Sequence, residues 1–186
     1  MADASVISKM NGKPRELNQG GTSTSEVAFS VDGTTVILLP LPSAAQLAGG
    51  TGTGGYCSKF TIRAWGRVTG GGTTNYTPQL QYGTSATPAS NTDIESGGAV
   101  AVNSVSGTWQ IEAHAIWDAT SNILDGFAEH MVSGSTRTYT ARAVFDNAIT
   151  SADPDAGTAQ GFVVTGTFSS GFAGNLAYLD GFEIIK

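Results

Sequence analysis

The chain has 186 residues, a formal net charge of −6, 25 glycines and only 13% charged residues, against about 25% charged in an average globular protein. Helical bundles and coiled coils, rich in Glu, Lys and Leu, are excluded by this balance, and nine basic residues are too few to neutralise a nucleic-acid backbone. A hydrophobic content of 40% excludes a disordered polar tract, and the length suits one domain with a core of its own.

Residues 1–23 show no regular period and end in a Gly-rich polar stretch at 18–23. They are expected to form an N-terminal arm, with a short strand at Val6-Ile7, ahead of a single domain at 24–186. The arm is slightly basic, with Lys9, Lys13 and Arg15 set against Asp3 and Glu16, whereas the remainder is acidic. Its apolar anchors, Val6, Ile7, Met10 and Leu17, are too sparse to form a core of their own. The first residues lack the charged start and long apolar run of a secretory signal. Val36–Leu41, the longest apolar run, is interrupted by Pro40 and too short to span a bilayer. No membrane association is expected.

Regular patterning begins near Ser25. Val27, Phe29 and Val31 alternate with polar or small neighbours, Asp32-Gly33 is a hairpin turn signal, and Thr35–Leu39 is the next strand. Ser43–Ala48 reads as one or two helical turns with a Ser cap. The Gly-rich run at 49–55 lacks both the Lys and the following helix of a phosphate-binding loop and reads as a plain loop. Cys57, the one cysteine, excludes an intrachain disulfide and is expected as a small buried residue.

Phe60, Ile62, Ala64, Gly66 and Val68 alternate with Lys59, Thr61, Arg63, Trp65 and Arg67, the period of a half-buried strand, which Gly70–Gly72 ends. Pro78 marks the run Tyr76–Tyr82 as an edge strand or a bulged one. Thr108–Asp118 carries the clearest alternation. Trp109, Ile111, Ala113, Ala115 and Trp117 fall on one face, and Gln110, Glu112, His114 and Ile116 on the other. Phe127–Val132 and Thr138–Phe145 form a hairpin around 133–135. A loop at 153–157 precedes the strand of Phe162, Val164, Gly166 and Phe168, and Leu176–Ile185 follows with a bulge at Asp180-Gly181. About eight to ten strands at this spacing predict an antiparallel sandwich or barrel.

Few residues carry chemistry. Glu112 and His114 share a strand face, so an acid–imidazole pair is geometrically open, but no Ser or Cys nucleophile accompanies it. His130 is expected on another strand. Glu112, Asp118, Asp125 and Glu129 are the nearest candidates for paired glycosidase carboxylates, with nothing to set their separation. Asp153 and Asp155 lack the full ligand series of a calcium loop, and no metal or cofactor is expected. Trp109 and Trp117, in phase with Ile111, are expected in the core. Trp65, out of phase with Phe60 and Ile62, and Ile116, on the polar face, are the candidate subunit or ligand contacts.

The runs Gly161–Ser170 and Ala173–Ile185, with Thr108–Ala115 and the hairpin at 127–145, resemble the closing strands of jelly-roll virion proteins of tailed bacteriophages. The resemblance covers about 80 residues and implies an all-β antiparallel sandwich of jelly-roll type with a short N-terminal arm. It also implies a non-enzymatic virion protein made in the host cytoplasm. A single body without a fibrous shaft points to a capsid decoration (cement) protein that binds the assembled head as a homotrimer. Its partner is then the major capsid protein or another virion protein. The arm residues Val6, Ile7, Lys9, Met10, Lys13, Arg15 and Leu17 are the expected docking element. The alternative is a carbohydrate-binding module or the receptor-binding domain of a tail or fibre.

Overall fold

A computed structural model describes residues 6–9, 15–18, 24–25, 27–28, 30–31, 35–36, 39–40, 57–83, 90–95, 99–118, 123–133, 137–139, 143–144 and 161–185. In chain order the strands are β1 (Val6–Lys9), β2 (Arg15–Asn18), β3 (Val27–Ala28), β4 (Ser30–Val31), β5 (Thr35–Val36) and β6 (Leu39–Pro40), then β7 (Cys57–Thr69) and β8 (Asn75–Gly83). There follow β9 (Thr92–Glu95), β10 (Val100–Ala101), β11 (Ser106–Asp118), β12 (Ile123–Ser133), β13 (Arg137–Tyr139), β14 (Ala143–Val144), β15 (Gly161–Phe168) and β16 (Leu176–Ile185).

The chain is all-β, two antiparallel sheets packed as a sandwich. The first has the long strands β16-β7-β11-β12 at its centre, with β1 and β2 on the outer side of β16 and β13 and β14 on the outer side of β12. The second runs β10-β8-β15-β3, with β9 also on β8 and β6 also on β15. Between them the two inner faces form one core, because period-two alternation sends every second side chain inward. From the first sheet come Phe60, Ile62, Trp109, Ile111, Leu124 and Ile184; from the second come Tyr76, Leu80, Phe162 and Phe168. Rings meet across the gap: Tyr76 lies 5.0 Å from Phe168 and 6.4 Å from Trp109, centroid to centroid.

Three sequence features acquire physical reasons. The bulge expected at Asp180-Gly181 is present as a register shift between Leu179 and Gly181. It resets the parity of β16, so that Ala177 and Leu179 before it and Phe182 and Ile184 after it all face the core. Pro78 is not on an edge strand, since β8 lies between β15 and the pair β9/β10. β10 takes Asn75 and Tyr76, and β9 takes Leu80 to Tyr82. Pro78 therefore falls in the gap, where its missing N–H is not needed on that side. The strand after Asp118 begins earlier than its periodicity suggests, and β12 pairs with β11 from Asp118↔Ile123 to Thr108↔Ser133.

Trp109 is in the core at 1% exposure, and its indole N–H donates to the Tyr178 carbonyl, 3.1 Å away. Gly66, opposite Trp109 on β7, permits this, since a Cβ there would collide with the Tyr178 carbonyl and the indole. One end of the sandwich is tied by Asn175, fully buried. Its Oδ1 accepts from the Gly71 N–H at 2.8 Å and its Nδ2 donates to the Ser170 carbonyl at 2.7 Å. The helical turns expected at 43–48, the loop at 49–55 and the loop at 153–157 lie outside the described residues, as do the side chains of Cys57 and Trp117.

Candidate functional site

Polar side chains with chemical potential gather on the outer face of the first sheet. Register dictates this. Thr61 pairs with His114 and Ile185, His114 with Phe127, and Arg63 with Glu112 and Glu183. Cross-strand partners share a face, so two rows run side by side across four strands: Ile185–Thr61–His114–Phe127 and Glu183–Arg63–Glu112–Glu129. Lys59, Ile116 and Asp125 extend the face beyond the first row.

Arg63 links the second row. Its Nε donates to Glu112 Oε2 at 2.9 Å and its Nη1 lies 3.6 Å from Glu183 Oε1. The hydrogen bond to Glu112 is the main reason the guanidinium is held above its ordinary value, with the charges of Glu112 and Glu183 adding to it against partial desolvation. The other oxygen of Glu112 lies 3.1 Å from His114 Nε2, and His114 Nδ1 lies 3.3 Å from Thr61 Oγ1. A carboxylate only accepts, so Nε2 carries the proton of the neutral ring, and Nδ1 accepts from the Thr61 hydroxyl. His114 also packs on Phe127, centroids 4.8 Å apart at 37°. Farther along the face, Arg67 donates two hydrogen bonds of 2.8 Å to Asp180 and lies over the Tyr178 ring.

Beside the first row is a cavity of about 560 Å³, lined among others by Lys59, Thr61, Arg63, His114, Ile116 and Phe127. The acid–imidazole pair Glu112–His114 is thus assembled, and Thr61 supplies the hydroxyl that sequence reading did not identify. The arrangement orders protons along Glu112, His114 and Thr61.

Of the other candidates, Glu129 and His130 join Glu112 in lining a second, smaller hollow of about 110 Å³. His130 faces the opposite side of β12 and is buried at 2% exposure. Glu129 stands opposite Glu112 and Asp125 opposite Ile116, while Asp118 ends β11; Glu112 itself is engaged by Arg63 and His114. Asp153 and Asp155 lie outside the described residues, among which no group of His, Cys, Asp and Glu is placed to hold a metal. Trp65 and Ile116 are the large apolar side chains exposed among the described residues, at 39% and 36%. Ile116 lines the cavity, and Trp65 lies against Gly181 at the bulge.

Of the arm residues, Val6, Ile7 and Lys9 lie on β1 and Arg15 and Leu17 on β2, both antiparallel to β16. Met10 and Lys13 lie outside the described residues. Arg63, Phe127 and Ile185 were not singled out in the sequence. The signal that finds them is their phase: each occupies the out-of-core parity of its strand, but only strand pairing brings them to one place. Compared with protein-family models, with curated proteins and with solved structures, the chain finds no match.

Proposed function

We propose that the chain is a non-enzymatic structural protein of a tailed-bacteriophage virion, a jelly-roll capsid decoration protein that binds the assembled head as a homotrimer and stabilises it. The order of the strands carries this reading. With β1/β2, β3/β6 and β9/β10 each taken as one interrupted strand, the order is β1/β2-β16-β7-β11 in one sheet and β3/β6-β15-β8-β9/β10 in the other. The first strand is beside the last and the second beside the next to last, an order that supports the nested Greek keys of a jelly roll. β12 to β14 add strands beyond β11. The resemblance of residues 108–115, 127–145 and 161–185 to the closing strands of such virion proteins supports the assignment independently of this topology.

Docking is assigned to the N-terminal residues as a sheet edge rather than a loose arm. Among the described strands, β1 and β2 have no ladder partner on the side away from β16. An unpaired edge is a template for strand addition, and Lys9 on β1 and Arg15 on β2, with Lys13 between them in the sequence, supply basic residues on an acidic protein. The test is co-sedimentation with capsids lacking the protein. Reversing these three charges, Lys9→Glu, Lys13→Glu and Arg15→Glu, leaves the backbone edge in place and is expected to abolish binding. Binding by the variant at wild-type stoichiometry would move docking to the body of the sandwich. Failure of the wild-type chain to bind any such capsid would overturn the decoration reading.

A further inference from the structure

We propose that the cavity on the outer face of the first sheet is a binding site for a neutral sugar ring, stacked on the Phe127–His114 wall with its hydroxyls met by Thr61 and Arg63. The inference is independent of the virion reading. Its first basis is size, since about 560 Å³ lies within the range of roughly 300–1,000 Å³ typical of small-molecule sites.

The chemistry of the walls narrows the ligand. Phe127 and His114 form a continuous aromatic surface, flanked by Ile116 and Ile185. This half of the cavity suits a ligand with an apolar face. Thr61 and Arg63, also in the lining, belong to the hydrogen-bonded chain Thr61–His114–Glu112–Arg63. Thr61 gives its proton to His114 and keeps its oxygen lone pairs as acceptors. Arg63 uses Nε on Glu112, which leaves N–H groups of its Nη atoms to donate. Acceptor and donor side by side are the complement of a hydroxyl, which both gives and receives.

Charge argues against the ionic alternatives. Lys59 and Arg63 are balanced by Glu112 and Glu183, and Asp125 and Glu129 stand on the neighbouring strand. An anion finds the Arg63 guanidinium already paired with Glu112 and Glu183, and a cation meets Lys59 and Arg63, the charged residues of the lining. A purely hydrocarbon ligand would leave the polar side of the cavity unsatisfied. A pyranose, with a C–H face and equatorial hydroxyls, satisfies both halves. The site also stands on the central strands β7, β11 and β12, so it is organised before a ligand arrives and loses little entropy on binding.

Saturation-transfer NMR on the full chain tests this, with neutral oligosaccharides ending in glucose, galactose or N-acetylglucosamine as probes and sialylated and sulfated oligosaccharides as anionic controls. Saturation of the ring protons of at least one neutral probe is expected. Phe127→Ala is expected to weaken that probe by about tenfold or more. Thr61→Val, nearly isosteric and lacking only the hydroxyl function, should weaken it severalfold while the thermal melt shows an intact fold. Arg67→Ala, on the same face outside the cavity, should leave affinity unchanged. The proposal is overturned if no neutral probe binds, if only the anionic controls bind, or if Thr61→Val binds the neutral probe as tightly as the wild-type chain.

Discussion

Tyr76 and Gly66 show how single positions are constrained by the core around them. The Tyr76 hydroxyl is buried without a hydrogen-bond partner among the described residues, a desolvation cost of about 1–3 kcal/mol offset by the packing of its ring on Trp109 and Phe168. Tyr76→Phe keeps the ring and removes that cost, so stability in urea is expected to be unchanged or to rise by up to about 2 kcal/mol. A fall of more than about 1 kcal/mol would show that the hydroxyl has a partner. Burial also holds this phenol well above its ordinary 10.0. Above that pH the unfolded chain releases the proton while the folded chain retains it, so stability falls as pH rises, by up to about 1.4 kcal/mol per pH unit, and is fully retained below it. Tyr76→Phe should flatten this alkaline decline, read as the urea midpoint at about pH 7 and about pH 11. Gly66→Ala acts in the opposite sense. The new methyl meets the Tyr178 carbonyl and the Trp109 indole, and a cost of about 2–4 kcal/mol is expected from overpacking and the lost hydrogen bond, with a shift in tryptophan emission.

Among the elements, β16 concentrates the constraints. It is paired along its length with β7 on one side and with β1 and β2 on the other, and its bulge keeps both of its halves facing the core. Inserting one alanine between Gly181 and Phe182 would turn Phe182 and Ile184 to solvent and Glu183 and Ile185 inward, whereas deleting Asp180, the residue that the register shift skips, leaves their phase unchanged. The insertion product is expected to be insoluble or to lack cooperative unfolding by circular dichroism; a soluble, cooperatively folding insertion would show that the phase of this half of β16 is dispensable. β1 and β2 cover the outer edge of β16, so removal of residues 1–20 should raise amide hydrogen exchange along 176–185 well above that along β8 and β15. Equal protection in the truncated and full chains would mean that these strands add nothing to the edge.

For the whole molecule, the proposed trimer has a simple readout. Light scattering after size exclusion is expected to give three times the 19.0 kDa of the chain, and a monomer at micromolar concentration would contradict it. Trp65, the most exposed large apolar side chain among the described residues, is the expected subunit contact, so Trp65→Ala should shift the equilibrium toward monomer without unfolding the chain. The sugar site lies on other residues of the same face and is expected to survive that change.

Strand identity was legible in the residues because alternation is a local property. The sides of β7 and β11, the burial of Trp109, the exposure of Trp65 and Ile116 and the bulge at Asp180-Gly181 all follow from counting in twos along the chain. The candidate site was half legible for the same reason. Glu112 and His114 share a strand and a parity, whereas Thr61, Arg63, Phe127 and Glu183 come from three other strands, and only the pairing registers align them. Pro78 shows the same division. Its missing N–H argued for an edge or a bulge; β8 is no edge, its pairing with β9 shifts register between Leu80 and Gln81, and the split between β9 and β10 leaves Pro78 in a gap that no local pattern contains. Periodicity decides which way each side chain points, but which strands are neighbours depends on the burial of whole faces against one another, and that alone placed an imidazole, a hydroxyl, a guanidinium and an aromatic ring around one cavity.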